Sequence, residues 1–235
     1  MQPQLSETVS KKTSRIESFS DGVFSIAITL LVLDIHVPVA KGNEPLLSLL
    51  GANWQAYLAF MIGFFTLLVC WINHHYMFEL ICRTNGMLFL LNGFKLLVVS
   101  FTPFATALIS KYIDTAQQQT AVSIYALNFF LMGTAMTCLW LYANKHGLTK
   151  GGLEHVLKAA TQLYIFASVF SGIIFIVSFL SIPVSMVLFG LMFLIFVFPK
   201  NMVLLLMRRR VKVAKEELII SVSQVQKEYA NPGAS

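Results

Sequence analysis

The chain reads as an all-α polytopic membrane protein with six transmembrane helices, and three observations lead there. Of its 235 residues 57% are hydrophobic and only 12% charged, with a mean hydropathy of +0.73. Water-soluble domains carry about a quarter charged residues, so a soluble core is excluded. Six apolar stretches, at 18–37, 54–73, 86–109, 120–144, 159–182 and 183–207, are each long enough to cross a bilayer, since about 20 helical residues span the hydrocarbon. The basic residues cluster at alternate ends of those stretches, as membrane topology requires.

The first span follows Lys11, Lys12 and Arg15. This opening imitates a signal peptide, but Asp21 and Asp34 interrupt the apolar region, so it reads as a retained helix. Arg83 lies between the second and third spans, Lys145, Lys150 and Lys158 lie between the fourth and fifth, and "RRRVKVAK" follows the sixth. Of basic residues the opposite loops hold only Lys41 and Lys111, the latter near Asp114. Both termini are therefore expected in the cytosol, in a plasma-membrane protein. The last two spans are nearly continuous and are divided at "SIPVS", where Pro183 disfavours helix at Ile182. Residues 1–210 are taken as one transmembrane domain and 211–235 as a cytoplasmic tail, helical for a few turns from Glu216 before it frays. The net charge of +6 is accounted for by topology and calls for no nucleic acid. Cys70, Cys82 and Cys138 form no CxxC pair and read as buried free thiols.

Charged groups inside spans need partners. By helical rise, Arg15, Asp21, His74 and Lys95 fall at one level of the membrane, with Trp71, Asn73 and His75 beside them at the end of the second span. This level predicts a buried Asp21–Lys95 pair flanked by Arg15 and imidazole. Such a pair would lock the first span to the second and third, and would specify geometry more than it stabilises. At 100° per residue, Phe19, Gly22, Val23, Ile26, Thr29, Leu30 and Leu33 share one stripe, with Asp21 nearly opposite. An apolar front with one hydroxyl serves equally as a lipid face, a packing face or a pore lining. No catalytic constellation, metal-ligand spacing or cofactor fingerprint is present: His74 and His75 are adjacent, and "GGLEHVLK" is neither a phosphate loop nor a dinucleotide motif.

The stretch "RIESFSDG", residues 15–22, resembles the RxxxFSDG signature of the lysosomal leak potassium channel family in its prokaryotic branch. "WINHH" on the second span and Lys95 on the third also match that family. The resemblance implies a homotetramer in which the first helix of each subunit lines a central pore. It also implies a pore without the TVGYG carbonyl filter of ordinary potassium channels; this chain too lacks that motif. Counted from the motif aspartate, the family's narrowing side chains fall on Ile26, Thr29 or Leu30, and Leu33, positions on the stripe already drawn. The implied anchor that fixes the rotation of the first helix comprises Arg15, Phe19, Ser20, Asp21, Gly22, Trp71, Asn73, His74 and Lys95. Ile26 and Leu33 would form a hydrophobic bottleneck, and Thr29 a ring of hydroxyls replacing part of a potassium ion's hydration shell. Weak ligands favour the less strongly hydrated potassium over sodium, modestly. Asp34 stands next toward the outer mouth, where it would attract cations or simply be solvated. The implied partners are potassium ions, three further copies of the chain and the lipid bilayer, with no cofactor. The main rival is a secondary transporter or proton-coupled permease using Asp21, His74 and Lys95, although the chain lacks the paired Gly/Pro interruptions of transporter sites, Pro103 being a single break.

Overall fold

Runs of apolar residues far longer than any soluble helix needs become long helices, because in lipid every backbone polar group must be satisfied within its own segment. The computed structural model describes residues 3–39, 42–43, 45–198, 201 and 204–205, with side chains from Thr13 onward. The side chains of Lys11 and Lys12, Lys41, and everything from residue 206, including all of RRRVKVAK and the expected tail, lie outside them. Helix α1 runs Pro3–Leu30 and continues as a 3-10 turn, Leu31–Asp34; it is followed by α2 (Leu46–Ala52), α3 (Trp54–Leu80), α4 (Gly86–Tyr112), α5 (Gln118–Lys145), α6 (Glu154–Ser178) and α7 (Ile182–Phe196). Five of these segments are long and apolar enough to cross a membrane, and α7 is a shorter apolar helix.

The differences from the expected spans have local causes. The first helical segment stops at Asp34 rather than near residue 37, with Ile35 already extended. Pro38 biases Val37 toward extended backbone, and the β-branched Ile35, Val37 and Val39 favour it too. The short helix α2 was not anticipated; Pro45 caps it in extended conformation and supplies a carbonyl to its first turn. Helix α7 ends at Phe196, earlier than the anticipated 207, and residues 201 and 204–205 are again helical. Pro199 in the sequence disfavours helix at Phe198. Pro103 does not break α4, which is continuous through it; neighbouring helices in a bundle re-satisfy what a proline frees.

Helices α3 to α7 close a ring: each of α4, α5 and α6 packs on its successor along the chain, α3 packs on α4, and α7 returns to α3. Small residues permit close approach, as is usual without a hydrophobic drive between helices in lipid. Ala143, Ala159, Ala160 and Ala167 are all buried in the core shared by α5 and α6. Around them Trp140 and Tyr164 pack with ring centroids 5.3 Å apart, and Thr137 donates to the Tyr164 carbonyl. At one end the loops after α3 and α5 are joined, the Cys82 and Arg83 amides donating to Leu148 O and the Lys150 amide to Leu80 O. Helix α1 stands outside the ring, against α3 and α4. All three cysteines are free, but Cys70 and Cys82 are only half-buried and Cys138 is exposed on the bundle surface rather than buried.

Candidate functional site

The docking of α1 is set by one periodic face. Ile16, Ser20, Phe24, Ala27 and Leu31 are buried, at spacings of four, four, three and four residues. That period places them in one stripe against α3 and α4. At the C-terminal end of this segment the approach is tight: a Cβ added to Gly63 would lie 2.9 Å from Leu31 Cδ2 and 2.8 Å from Thr106 Oγ1, so any larger residue would force those side chains to shift.

Three contacts with α3 and α4 anchor the middle of α1, around Ser20–Phe24. The Ser20 hydroxyl, fully buried, donates to Ile16 O at 2.8 Å and accepts from Asn92 Nδ2 at 3.0 Å. One step round the helix, the exposed Asp21 accepts from Trp71 Nε1 at 2.8 Å. Phe24 lies under the Lys95 ammonium, 5.1 Å from Nζ to the ring centroid, and its ring is 5.8 Å from that of His74.

Lys95 is completely buried and its Nζ sits 2.6 Å from His74 Nδ1. With Nδ1 accepting from the ammonium, the imidazole proton belongs on Nε2, which has no partner. The anticipated Asp21–Lys95 ion pair is therefore replaced by two separate contacts, Asp21 with Trp71 and Lys95 with His74. The reason is azimuthal: Asp21 projects 100° away from Ser20, out of the groove that Lys95 enters. Arg15 is exposed and has no hydrogen-bond or ion-pair partner among the described residues. Asn73 does not reach α1. Its Nδ2 donates to Val69 O and Phe196 O, tying α3 to α7. His75 is exposed, stacks on Trp71 and approaches Glu79 at 3.7 Å. Phe19 and Gly22 are exposed.

Asn92 was missed from the sequence. Its signal was there: it lies three residues before Lys95, on the same face of α4 and at the same depth.

The opposite face of α1 is uncovered by its own chain. Ile26 is 60% and Leu33 70% exposed, and Thr29 and Leu30 stand exposed between them. The Thr29 hydroxyl is held back on the helix, bonding Ile26 O at 2.9 Å and Ser25 O at 3.0 Å. Its hydrogen is thereby committed to the backbone, while oxygen lone pairs remain available as acceptors. Among the described residues no group of three or more His, Cys, Asp or Glu side chains could hold a metal ion.

A ring of apolar helices, four of them of membrane length, with a further helix docked on its flank and turning an apolar, hydroxyl-bearing face outward, defines a polytopic helical membrane protein. The match to known proteins is specific. A family model described as endosomal/lysosomal potassium channel TMEM175 matches residues 15–103, from the middle of α1 through α2 and α3 and into α4. A potassium channel of Chamaesiphon minutus is 42% identical over 182 residues, 74% of this chain and 88% of that protein. The endosomal/lysosomal proton channel TMEM175 of Gallus gallus is 30% identical over 193 residues, but this chain spans only 38% of its length. Among solved structures, a lysosomal potassium-selective channel TMEM175 homologue from Chamaesiphon minutus superposes with a TM-score of 0.68 at 38% identity, covering 83% of this chain and 98% of that one. The chain belongs to the TMEM175 family.

Proposed function

We propose that this chain is the subunit of a potassium-permeable channel, four copies of which surround a pore lined by α1. The observation that carries the reading is the division of α1 into a buried docking face and an outward face with Ile26, Thr29, Leu30 and Leu33 on it. A helix that only packs, or only faces lipid, has no need for three anchors fixing its rotation. The similarity to relatives named as potassium channels supports the same reading.

Ile26 and Leu33 form the narrow apolar rings, which gate by side-chain closure or dewetting. Thr29 offers lone pairs to a cation between them. A site of a few neutral hydroxyl oxygens cannot repay the dehydration of sodium as well as it repays that of potassium, so selectivity is modest. The RxxxFSDG stretch serves as the anchor: Ser20 and Asp21 set the azimuth of the pore face, and Phe24 seats it on Lys95 and His74. The termini lie in the cytosol, and the channel acts in the plasma membrane without enzymatic turnover or a cofactor.

Passive potassium efflux from liposomes holding the purified chain tests this. Efflux that Ile26→Asn alters and Leu97→Asn, on the exposed flank of α4, leaves unchanged supports the pore on α1. Equal response to both substitutions would place the conducting surface elsewhere.

A further inference from the structure

Arg83, Lys145, Lys150 and Lys158 are exposed at one end of the ring, where α3 and α5 finish and α4 and α6 begin. They stand on a fixed frame. The Arg83 amide donates to Leu148 O at 3.0 Å and the Lys150 amide to Leu80 O at 2.9 Å, so these two residues lie on paired strips of backbone. Thr137 donates to the Tyr164 carbonyl and Trp140 to the Thr161 hydroxyl, which sets Trp140 of α5 opposite Thr161 of α6. In that register Lys145 and Lys158 differ in depth by two residues, about 3 Å.

Among the described residues none of the four cations is in an ion pair; the one ion pair there joins His75 to Glu79 at 3.7 Å. From Ile81 to Lys158 the only carboxylate at this end is that of Glu154, so the edge is strongly positive. Below each lysine runs an apolar lane. On α5, Leu141, Leu131 and Leu127 are exposed on the face of Lys145, and on α6, Ile165, Val169 and Ile176 are exposed on the face of Lys158. The interior of the ring is lined by other residues of these helices, such as Phe129 and Tyr164. Helix α5 has 28 residues, about 42 Å at 1.5 Å each. The hydrocarbon layer is about 30 Å thick, so the lanes face acyl chains and the lysines reach the headgroups.

We propose that this edge binds anionic phospholipid, its phosphate among Arg83, Lys145, Lys150 and Lys158 and its acyl chains along the lanes of α5 and α6. Topology requires only that basic residues share one side of the membrane. It does not require them to stand unpaired above exposed apolar lanes, an arrangement that complements an amphiphile with a negative head. A soluble anion would use the cations and leave the lanes idle. Helix α1 packs on α3 and α4, so the site rests neither on the channel reading nor on which side the termini lie.

The test uses the purified full chain in dodecyl maltoside micelles, titrated with phosphatidylglycerol or with phosphatidylcholine of the same acyl chains. Native mass spectrometry counts the bound lipids. Phosphatidylglycerol is expected to bind at least tenfold more tightly. Lys145→Gln and Lys158→Gln should each weaken it about fivefold, the effect of one basic residue near a negative headgroup. Lys111→Gln, exposed at the far end of α4, should leave it unchanged. All three changes are to exposed side chains, and an unaltered melting temperature without added lipid confirms that the variants fold. Equal binding of the two lipids, indifference to Lys145→Gln and Lys158→Gln, or an equal loss with Lys111→Gln would overturn the proposal. So would displacement of the lipid by an equal concentration of glycerophosphoglycerol, the headgroup without its tails, since the site would then belong to a soluble phosphodiester.

Discussion

Ser20 and Asn92 allow the anchor of α1 to be dissected. In Ser20→Ala the hydroxyl that accepts from Asn92 Nδ2 is gone. Asn92 Oδ1 already lacks a partner, so the whole amide, 3% exposed, is stranded. An unmet buried polar group costs about 1–3 kcal/mol. Polar pairs between membrane helices average about 0.6 and reach about 1.7 kcal/mol, because the unfolded helices also find partners in the bilayer. Ser20→Ala should therefore destabilise by about 1–2 kcal/mol. Asn92→Leu is different, since Ser20 keeps its bond to Ile16 O and no polar atom is left alone. It should cost well under 1 kcal/mol, and the double variant should be close to Asn92→Leu itself, a coupling of about 1–2 kcal/mol. Equilibrium unfolding in mixed micelles with rising denaturing detergent reads these values; Trp71, bonded to Asp21 on α1, provides the fluorescence signal. Additive losses, or an Asn92→Leu more damaging than Ser20→Ala, would show that the buried pair does not seat α1.

Other substitutions probe the remaining contacts. Gly63→Ala places a methyl group within 3 Å of Leu31 and Thr106; overpacking of this kind costs about 1–3 kcal/mol, and adding Leu31→Ala should recover part of the lost melting temperature. Lys95→Met leaves both His74 nitrogens without a partner and should destabilise by a few kcal/mol, as breaking one side of a buried polar pair does; adding His74→Leu should restore most of the stability, measured in the same micelle titration. Trp71→Phe removes the donor to the exposed Asp21 and should leave the melting temperature nearly unchanged while altering current, measured in planar bilayers, because only the rotation of α1 is loosened.

The parts of the fold readable from the sequence are those governed by length and composition. Apolar runs of sufficient length had to become helices, and the phase of α1 follows from its 3.6-residue period, with Ile26, Leu30 and Leu33 outward and Phe24, Ala27 and Leu31 inward. Depth was also legible, which is why Asp21, His74 and Lys95 were placed at one level. Azimuth between helices was not. Depth alone paired Asp21 with Lys95, whereas the rotation of α1 directs Asp21 to Trp71 and leaves His74 to receive the ammonium. Asn73, adjacent to His74 in sequence, turns toward α7 because successive helical residues point 100° apart. The role of Gly63 was invisible for a related reason: a glycine in a membrane helix acquires meaning only from the Leu31 and Thr106 side chains that crowd it.

The most direct measurement is the reversal potential of the purified protein in a planar bilayer, with potassium on one side and sodium on the other. A channel-sized current reversing toward the potassium potential, with the preference weakened by Ile26→Asn, is the expected result. A current without cation preference, or one whose selectivity Ile26→Asn does not touch, would contradict a potassium pathway along α1.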